Sequence, residues 1–136
     1  MKQKLILGTV QFGQRYGIYK KKIIKEKEIN KIFKYAFKNN IIFLDTATSY
    51  GKSNLYIKNF NNKKKKFKII TKITKNNGDP LIQLKKIKRS LGYYPYSILA
   101  HNTSDFLNRK FNKKLFYLKK KFIKKIGVSI YTKNEI

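Results

Sequence analysis

The stretch FLDTATSYGKSN, residues 43–54, places an acid at the end of an apolar run. Residues 41–44 are all apolar, and an unbroken run of this kind is typical of a strand buried in a parallel sheet. Asp45 follows the run directly, and Tyr50 comes five residues later. Because the chain holds only six Asp and Glu against 34 Lys and Arg, an acid in this position indicates a specific role.

Strand and helix patterns alternate on both sides of this stretch. The strand patterns cover residues 5–10, 41–47, 67–73, 97–100 and 126–130. Helix patterns lie between them, at residues 28–38, at 53–60, from the capping pair Asp79 and Pro80 to Gly92, and around Leu115, Leu118 and Phe122. Such alternation predicts an α/β fold, with parallel strands joined by right-handed crossovers.

The carboxyl ends of four successive strands each carry a polar residue, and we call this shared position the strand-end phase. Asp45, Lys72, His101 and Ser129 follow one another at intervals of 27, 29 and 28 residues, each the length of one strand-helix unit. Ligands of parallel sheets and barrels gather at this end of the strands. A lone Lys or His is more often a surface or structural residue, but lysines placed at random do not keep this phase. We therefore predict that the four side chains converge on one site.

The chemistry predicted for this site is proton transfer. A tyrosine hydroxyl is a poor proton shuttle at neutral pH unless a neighbouring cation stabilises its phenolate. Lys72 would supply that cation, and Asp45 would hold the ammonium charged and oriented. His101 would face the same hollow and hydrogen-bond a substrate oxygen. On this interpretation Asp45 is present to hold Lys72, which tunes Tyr50.

Length and composition exclude several classes of protein. At 136 residues, of which 41% are hydrophobic, the chain is long enough for a single globular domain over residues 1–136. It has no Cys and one His, so no metal site is expected. Apolar runs fall short of the roughly 18 residues of a membrane span, and the start lacks the features of a secretory signal. We expect a cytoplasmic protein without a membrane partner.

The net charge of +28 raises the alternative of a nucleic-acid-binding protein. Only three of the 34 basic residues are Arg, the residue that suits bidentate recognition of bases and phosphates. Lys, Asn, Ile, Phe and Tyr, whose codons are rich in A and T, make up 83 of the 136 residues, so a biased genome explains the lysines. The runs at 20–22, 63–66 and 119–121 are interpreted as solvated turns and helix faces. No specific nucleic-acid partner is expected.

Five motifs together resemble the aldo-keto reductases. They are Gly8-Thr9 after the first strand, LDTATSYG at 44–51, IITKI at 69–73, ILAHN at 98–102 and IGVSIYT at 126–132. The resemblance runs from about residue 5 to the last residue, with the motifs in the order of the family. It implies a (β/α)8 barrel that transfers hydride from NADPH, or NADH, to a small-molecule aldehyde or ketone.

Carried over by motif, the resemblance assigns roles to eight residues. Asp45, Tyr50, Lys72 and His101 take the catalytic tetrad positions, with Tyr50 as the general acid in reduction. Gly8, Thr9, Asn102 and Ser129 take cofactor-binding positions, where Thr9 and Ser129 line the nicotinamide. Ile130 departs from the pattern, because many members of the family have Asn after the motif Ser.

The length of the chain predicts a partial barrel. A complete barrel takes about 250 residues, whereas this sequence has about five strand-helix units. Thr132 and Glu135 form a capping-box pattern, which predicts the start of a further helix. Open edges at the first and fifth strands favour self-association or a complementing chain. Three hypotheses follow: an NADPH-dependent reductase, a non-catalytic remnant or assembly partner of a split reductase, and a basic nucleic-acid-binding protein.

Overall fold

The computed structural model of the chain describes residues 5–17, 23–61 and 67–135. These residues fall into two compact units, Met1–Ile69 and Ile70–Ile136. Each unit is built from parallel strands and helices, as the alternation in the sequence predicts. Within the described ranges, no helix is both long enough and apolar enough to cross a membrane.

In its described residues, the first unit carries two complete strands and three helices. Its elements are β1 (Leu7–Gly8), α1 (Val10–Gly13), α2 (Glu26–Lys38), β2 (Phe43–Asp45) and α3 (Ser53–Asn61), followed by the first residues of β3 (Lys68–Ile73). β1 pairs parallel to β2, with Gly8 opposite Asp45. The Lys68 N–H donates to the Ile42 carbonyl at 2.8 Å, so the start of β3 is aligned with the segment that leads into β2.

Aromatic rings form the core of the first unit. Phe33, on the apolar face of α2, is fully buried, and its ring centroid lies 5.0 to 5.3 Å from those of Phe12, Phe60 and Phe67. Tilted and edge-on pairs at this separation are the favoured arrangement of aromatic rings. The cluster therefore ties all three helices to Phe67, directly before β3, and the helix predicted at residues 28–38 buries its apolar face here.

The second unit is built around β4. Its elements are the rest of β3, α4 (Pro80–Leu91), β4 (Ser97–Ala100), α5 (Thr103–Leu107), α6 (Arg109–Lys121) and β5 (Lys125–Val128), with 3-10 turns at Lys75–Asn77 and Lys133–Glu135. β4 pairs parallel to β3 on one side and to β5 on the other, with Leu99 opposite both Lys72 and Gly127. Aliphatic side chains of α4, β4 and α6 form its core, namely Leu84, Ile87, Leu91, Ile98, Leu115 and Leu118.

The ends of α4 agree with the prediction. Asp79 caps the start of the helix, where its Oδ1 accepts a hydrogen bond from the Leu81 N–H at 2.7 Å and Pro80 takes the first helical position. Gly92 follows the last turn with a φ of 87°, a left-handed conformation that glycine adopts without strain. Both ends of α4 are therefore set by residues next to the helix.

The predicted fold class is confirmed. Every strand pair described above is parallel, and strand order follows chain order, β1-β2-β3-β4-β5. Consecutive strand-helix units arranged in this way are the building pattern of a (β/α)8 barrel. The fold is thus α/β, with about five such units of a partial barrel.

Two details differ from the sequence-based expectation. Val10 begins a helical turn instead of ending the first strand, because the Gln14 N–H returns to the Val10 carbonyl at 3.2 Å. α5, between β4 and α6, was not predicted. Of the lysine runs, 20–22 and 63–66 lie outside the described residues, whereas 119–121 is exposed at the end of α6 as expected.

Candidate active site

The end of β2 is anchored by Thr9. Asp45 is the last residue of the strand, and its backbone carbonyl accepts two hydrogen bonds from Thr9, one from the N–H and one from the hydroxyl, each 3.0 Å long. Thr9 is fully buried, whereas Asp45 is half-buried. Thr9, predicted to line a nicotinamide, therefore also fixes the backbone at the carboxyl end of β2.

Tyr50 lies on the turn that connects β2 to α3. Its N–H donates to the Ala47 carbonyl at 3.1 Å, and its own carbonyl accepts from the Ser53 N–H at 3.0 Å. The side chain is half-buried, so the phenol is partly open to solvent. A reacting hydroxyl needs such access, and the turn holds the Tyr50 backbone at both its N–H and its carbonyl.

Two further contacts fix this turn, and sequence reasoning did not predict either. Gly13, at the end of α1, lies so close to Tyr50 that an added Cβ would stand 1.8 Å from the Tyr50 carbonyl oxygen. The buried Thr46 hydroxyl donates to the Asn54 Oδ1 at 3.0 Å, which joins the segment after β2 to the first turn of α3. Glycine and small polar residues are common in loops, so their identities alone carry no signal of these contacts.

Lys72 occupies an unusual position for a lysine. It is the fifth residue of β3 and is 7% exposed; among the lysines that the structure describes, it alone is buried. Burial of an ammonium costs free energy unless other groups compensate for the lost water. The placement near the carboxyl end of β3 agrees with the predicted strand-end phase and favours a role beyond solubility.

His101 and Ser129 follow the ends of neighbouring strands. The His101 N–H donates to the Ile73 carbonyl at 2.8 Å, directly after β4. The Ser129 N–H donates to the Ala100 carbonyl at 2.9 Å, directly after β5. Both side chains are partly exposed, and the predicted strand-end positions are confirmed for each.

Tyr131 is a contact of His101 that the sequence did not reveal. Its hydroxyl lies 3.3 Å from the His101 Nε2, although the two residues are 30 positions apart. Tyr131 belongs to the segment after β5, so the second unit itself supplies a hydrogen-bonding group to the imidazole. An alternation of strands and helices gives no indication of which loop residue reaches this ring.

Asn102, predicted to touch a cofactor, has a clear structural role. Its Oδ1 accepts hydrogen bonds from the Asp105 N–H at 2.8 Å and from the Ser104 hydroxyl at 2.9 Å, which makes it the N-cap of α5. The same amide still has its N–H groups for a ligand. A contact with a cofactor stays a prediction.

The eight predicted site residues divide between the two units. Asp45, Tyr50, Gly8 and Thr9 belong to the first unit, and Lys72, His101, Asn102 and Ser129 belong to the second. The convergence of the tetrad on one site stays a prediction. In the described part of the chain, no group of three His, Cys, Asp or Glu side chains is arranged to hold a metal ion.

Comparison with known proteins gives a family match and a fold match. The model of the Aldo/keto reductase family matches residues 4–129, and no curated protein shows a significant match. PA4992 of Pseudomonas aeruginosa, a presumed aldo-keto reductase, aligns with a TM-score of 0.76 at 21% identity, covering 91% of this chain and 54% of its own. A mutant of Gox0644 in complex with NADPH aligns with a TM-score of 0.66 at 21% identity, covering 96% of this chain and 46% of its own.

At 21% identity, these two structures show that the fold is shared. The chain also spans only about half the length of each protein. The match therefore supports a partial barrel, in agreement with the fold class predicted from the sequence.

Proposed function

The chain belongs to the aldo/keto reductase family, and from this premise we propose that it supplies the proton-donating residues of a carbonyl reduction. Tyr50 is the proton donor, and Lys72 is the cation that supports it. The observation that carries this proposal is the burial of Lys72 near the end of β3, because the other lysines of the described ranges are exposed or partly exposed. A buried ammonium near a strand end supports a chemical role for Lys72.

Each member of the tetrad has a distinct task in this proposal. Tyr50 donates its hydroxyl proton to the carbonyl oxygen of the substrate, and the product is an alcohol. The Lys72 ammonium stabilises the phenolate that remains until solvent returns the proton, and the Asp45 carboxylate keeps the ammonium oriented. His101 donates a hydrogen bond that orients the same carbonyl oxygen.

The residues proposed to hold a cofactor all lie at or shortly after the carboxyl ends of their strands. Gly8 is exposed at the end of β1, and a Cβ added there would meet no atom within 4 Å, so the backbone is open to a ligand. Thr9 fixes the adjoining backbone, while Ser129 and Asn102 present partly exposed polar groups after β5 and β4. When bound, a nicotinamide cofactor, NADPH or NADH, supplies the hydride for the carbonyl carbon. The NADPH complex of Gox0644 makes NADPH the first cofactor to test.

The test is a matched pair of tyrosine variants. Tyr50→Phe removes only the proposed proton donor, so NADPH affinity should stay unchanged while carbonyl turnover falls by about 100-fold or more. Tyr35→Phe is the control, because Tyr35 is 70% exposed on α2 and should leave both quantities unchanged. Turnover is followed as NADPH oxidation, and NADPH affinity by fluorescence titration. Equal turnover in Tyr50→Phe and the wild type would falsify the role of Tyr50.

A second candidate function is that of a non-catalytic assembly partner, which exposed apolar residues beside β1 favour. Leu5 and Ile6, next to the edge strand β1, are 62% and 54% exposed. Exposed apolar residues beside a strand edge favour pairing with another chain, either a second copy or a complementing one. Light scattering should show association of the wild type and its loss in Ile6→Lys. A wild type that is a monodisperse monomer would rule out self-association.

A further inference from the structure

Tyr131 reaches His101 with its hydroxyl while most of the residue stays in solvent. The residue is 67% exposed, yet its oxygen lies 3.3 Å from the Nε2 of the imidazole. A tyrosine side chain is normally held in place by packing of its buried ring, but the ring of Tyr131 is too exposed to be held in this way. The position of Tyr131 must therefore come from its backbone and from the hydrogen bond itself.

A carboxylate holds the backbone of Tyr131 in place. The Glu135 side chain accepts hydrogen bonds from the Tyr131 N–H and, at 3.2 Å, from the Thr132 N–H. The Glu135 N–H donates to the Thr132 carbonyl at 3.2 Å and closes the 3-10 turn Lys133–Glu135. Hydrogen bonds to an ionised carboxylate are stronger than neutral ones, so the Glu135 side chain fixes the backbone of this short segment. The fixed backbone directs the Tyr131 side chain toward His101.

We propose that Tyr131 competes with the substrate for His101: its hydroxyl occupies the His101 Nε2 until the oxygen of a carbonyl substrate displaces it. The inference rests on the proposed function, in which His101 donates a hydrogen bond to the carbonyl oxygen, and it assigns that donation to Nε2. When Nε2 carries the proton, its N–H has one best acceptor, so the Tyr131 hydroxyl and the substrate oxygen compete for it. Every carbonyl substrate then loses the free energy of one neutral hydrogen bond, so Tyr131 lowers the affinity for all of them by a similar factor.

The contact itself is testable without catalysis, because the chain contains a single histidine. All imidazole ¹⁵N signals therefore belong to His101. Tyr131→Phe should shift the Nε2 signal relative to the wild type. Glu135→Ala should shift it in the same direction, because it removes the hydrogen bonds that fix the Tyr131 backbone. Tyr117→Phe is the control, because the Tyr117 ring packs edge-on against Phe122. Identical His101 signals in Tyr131→Phe and the wild type would overturn the proposal.

The competition is tested by titrating acetophenone into both proteins while following the His101 signals. A ketone is used because aldehydes condense with lysine amines. Tyr131→Phe should bind acetophenone about 2- to 10-fold more tightly, the equivalent of one neutral hydrogen bond. If the chain turns over, KM should fall by the same factor with kcat unchanged. If acetophenone shifts the His101 signals equally well in both proteins and the affinities are equal, the competition is overturned. If acetophenone shifts the His101 signals in neither protein, the role given to His101 in the proposed function is overturned.

Discussion

A Cβ added to Gly13 would lie 1.8 Å from the Tyr50 carbonyl oxygen, so the two backbones touch with no room for a side chain. Gly51 meets the same contact from the other side, since its added Cβ would stand 2.4 Å from the Gly13 carbonyl oxygen. Gly51 also has a φ of 52°, in the left-handed region that favours glycine. The turn that carries the proposed proton donor is therefore fixed against α1, backbone to backbone, within the first unit.

Gly13→Ala should therefore destabilise the protein. The new methyl group meets backbone atoms, which move less easily than side chains, so we expect a loss of about 1–3 kcal/mol in the free energy of unfolding. Urea unfolding gives this quantity. Gly8→Ala is the matched control, because its Cβ meets nothing within 4 Å, and it should be neutral or slightly stabilising. Equal stability of Gly13→Ala and the wild type would show that the Gly13 and Tyr50 backbones leave room for a methyl group.

Phe33 should be among the most costly residues to truncate in the first unit. It is fully buried, and three other phenylalanine rings lie within 5.3 Å of its centroid. Phe33→Ala should lower the free energy of unfolding by about 3–5 kcal/mol, because it removes apolar burial and leaves a cavity. Tyr35→Ala, on the exposed face of the same helix, should change it by less than about 0.5 kcal/mol. Similar losses in the two variants would contradict the core assigned to α2.

Asn102 allows the structural role and the proposed cofactor role to be separated. Asn102→Ser keeps a side-chain acceptor at the N-cap of α5, whereas Asn102→Ala removes it and should cost about 1 kcal/mol of stability. Both variants remove the amide N–H groups, so both should weaken NADPH binding by about 2- to 10-fold if one of these groups contacts the cofactor. Unfolding measurements and NADPH fluorescence report the two effects independently. Unchanged NADPH affinity in both variants would leave Asn102 as a cap alone.

The sequence predicts best those features that depend on neighbouring residues. Asp79, Pro80 and Gly92 mark both ends of α4, and the strand at residues 97–100 is found at its predicted bounds. The placement of Lys72 near the end of β3 agrees with the predicted strand-end phase, which follows from the length of one strand-helix unit.

The sequence does not reveal contacts between distant loops. The approach of Gly13 to Tyr50 and the hydrogen bond between Tyr131 and His101 each join segments about 30 or more positions apart. They depend on the path of loops, for which no periodic pattern exists. α5 was missed for a related reason, because it is five residues long and begins at a cap supplied by a predicted ligand contact, Asn102.

Asp79 should make the stability of the second unit depend on pH. A hydrogen bond from Lys114 and a second one from the Leu81 N–H hold the pKa of the Asp79 carboxyl below its usual value. Because the pKa is lower in the folded chain, the carboxylate contributes stability above its ordinary pKa of about 3.9. That contribution is lost as the pH falls through the folded-state value.

Asp79→Asn tests this dependence, because the amide keeps a capping oxygen but does not titrate in this range. The wild type should be more stable than Asp79→Asn at neutral pH, and the gap should close as the pH falls below about 4. Lys114→Met keeps much of the side-chain volume without the charge. It should also reduce the pH dependence of the free energy of unfolding, because it removes the main cause of the lowered Asp79 pKa. Urea unfolding at a series of pH values gives all three curves. A gap between the wild type and Asp79→Asn that stays constant from neutral to acidic pH would mean that the ion pair with Lys114 does not favour the folded state.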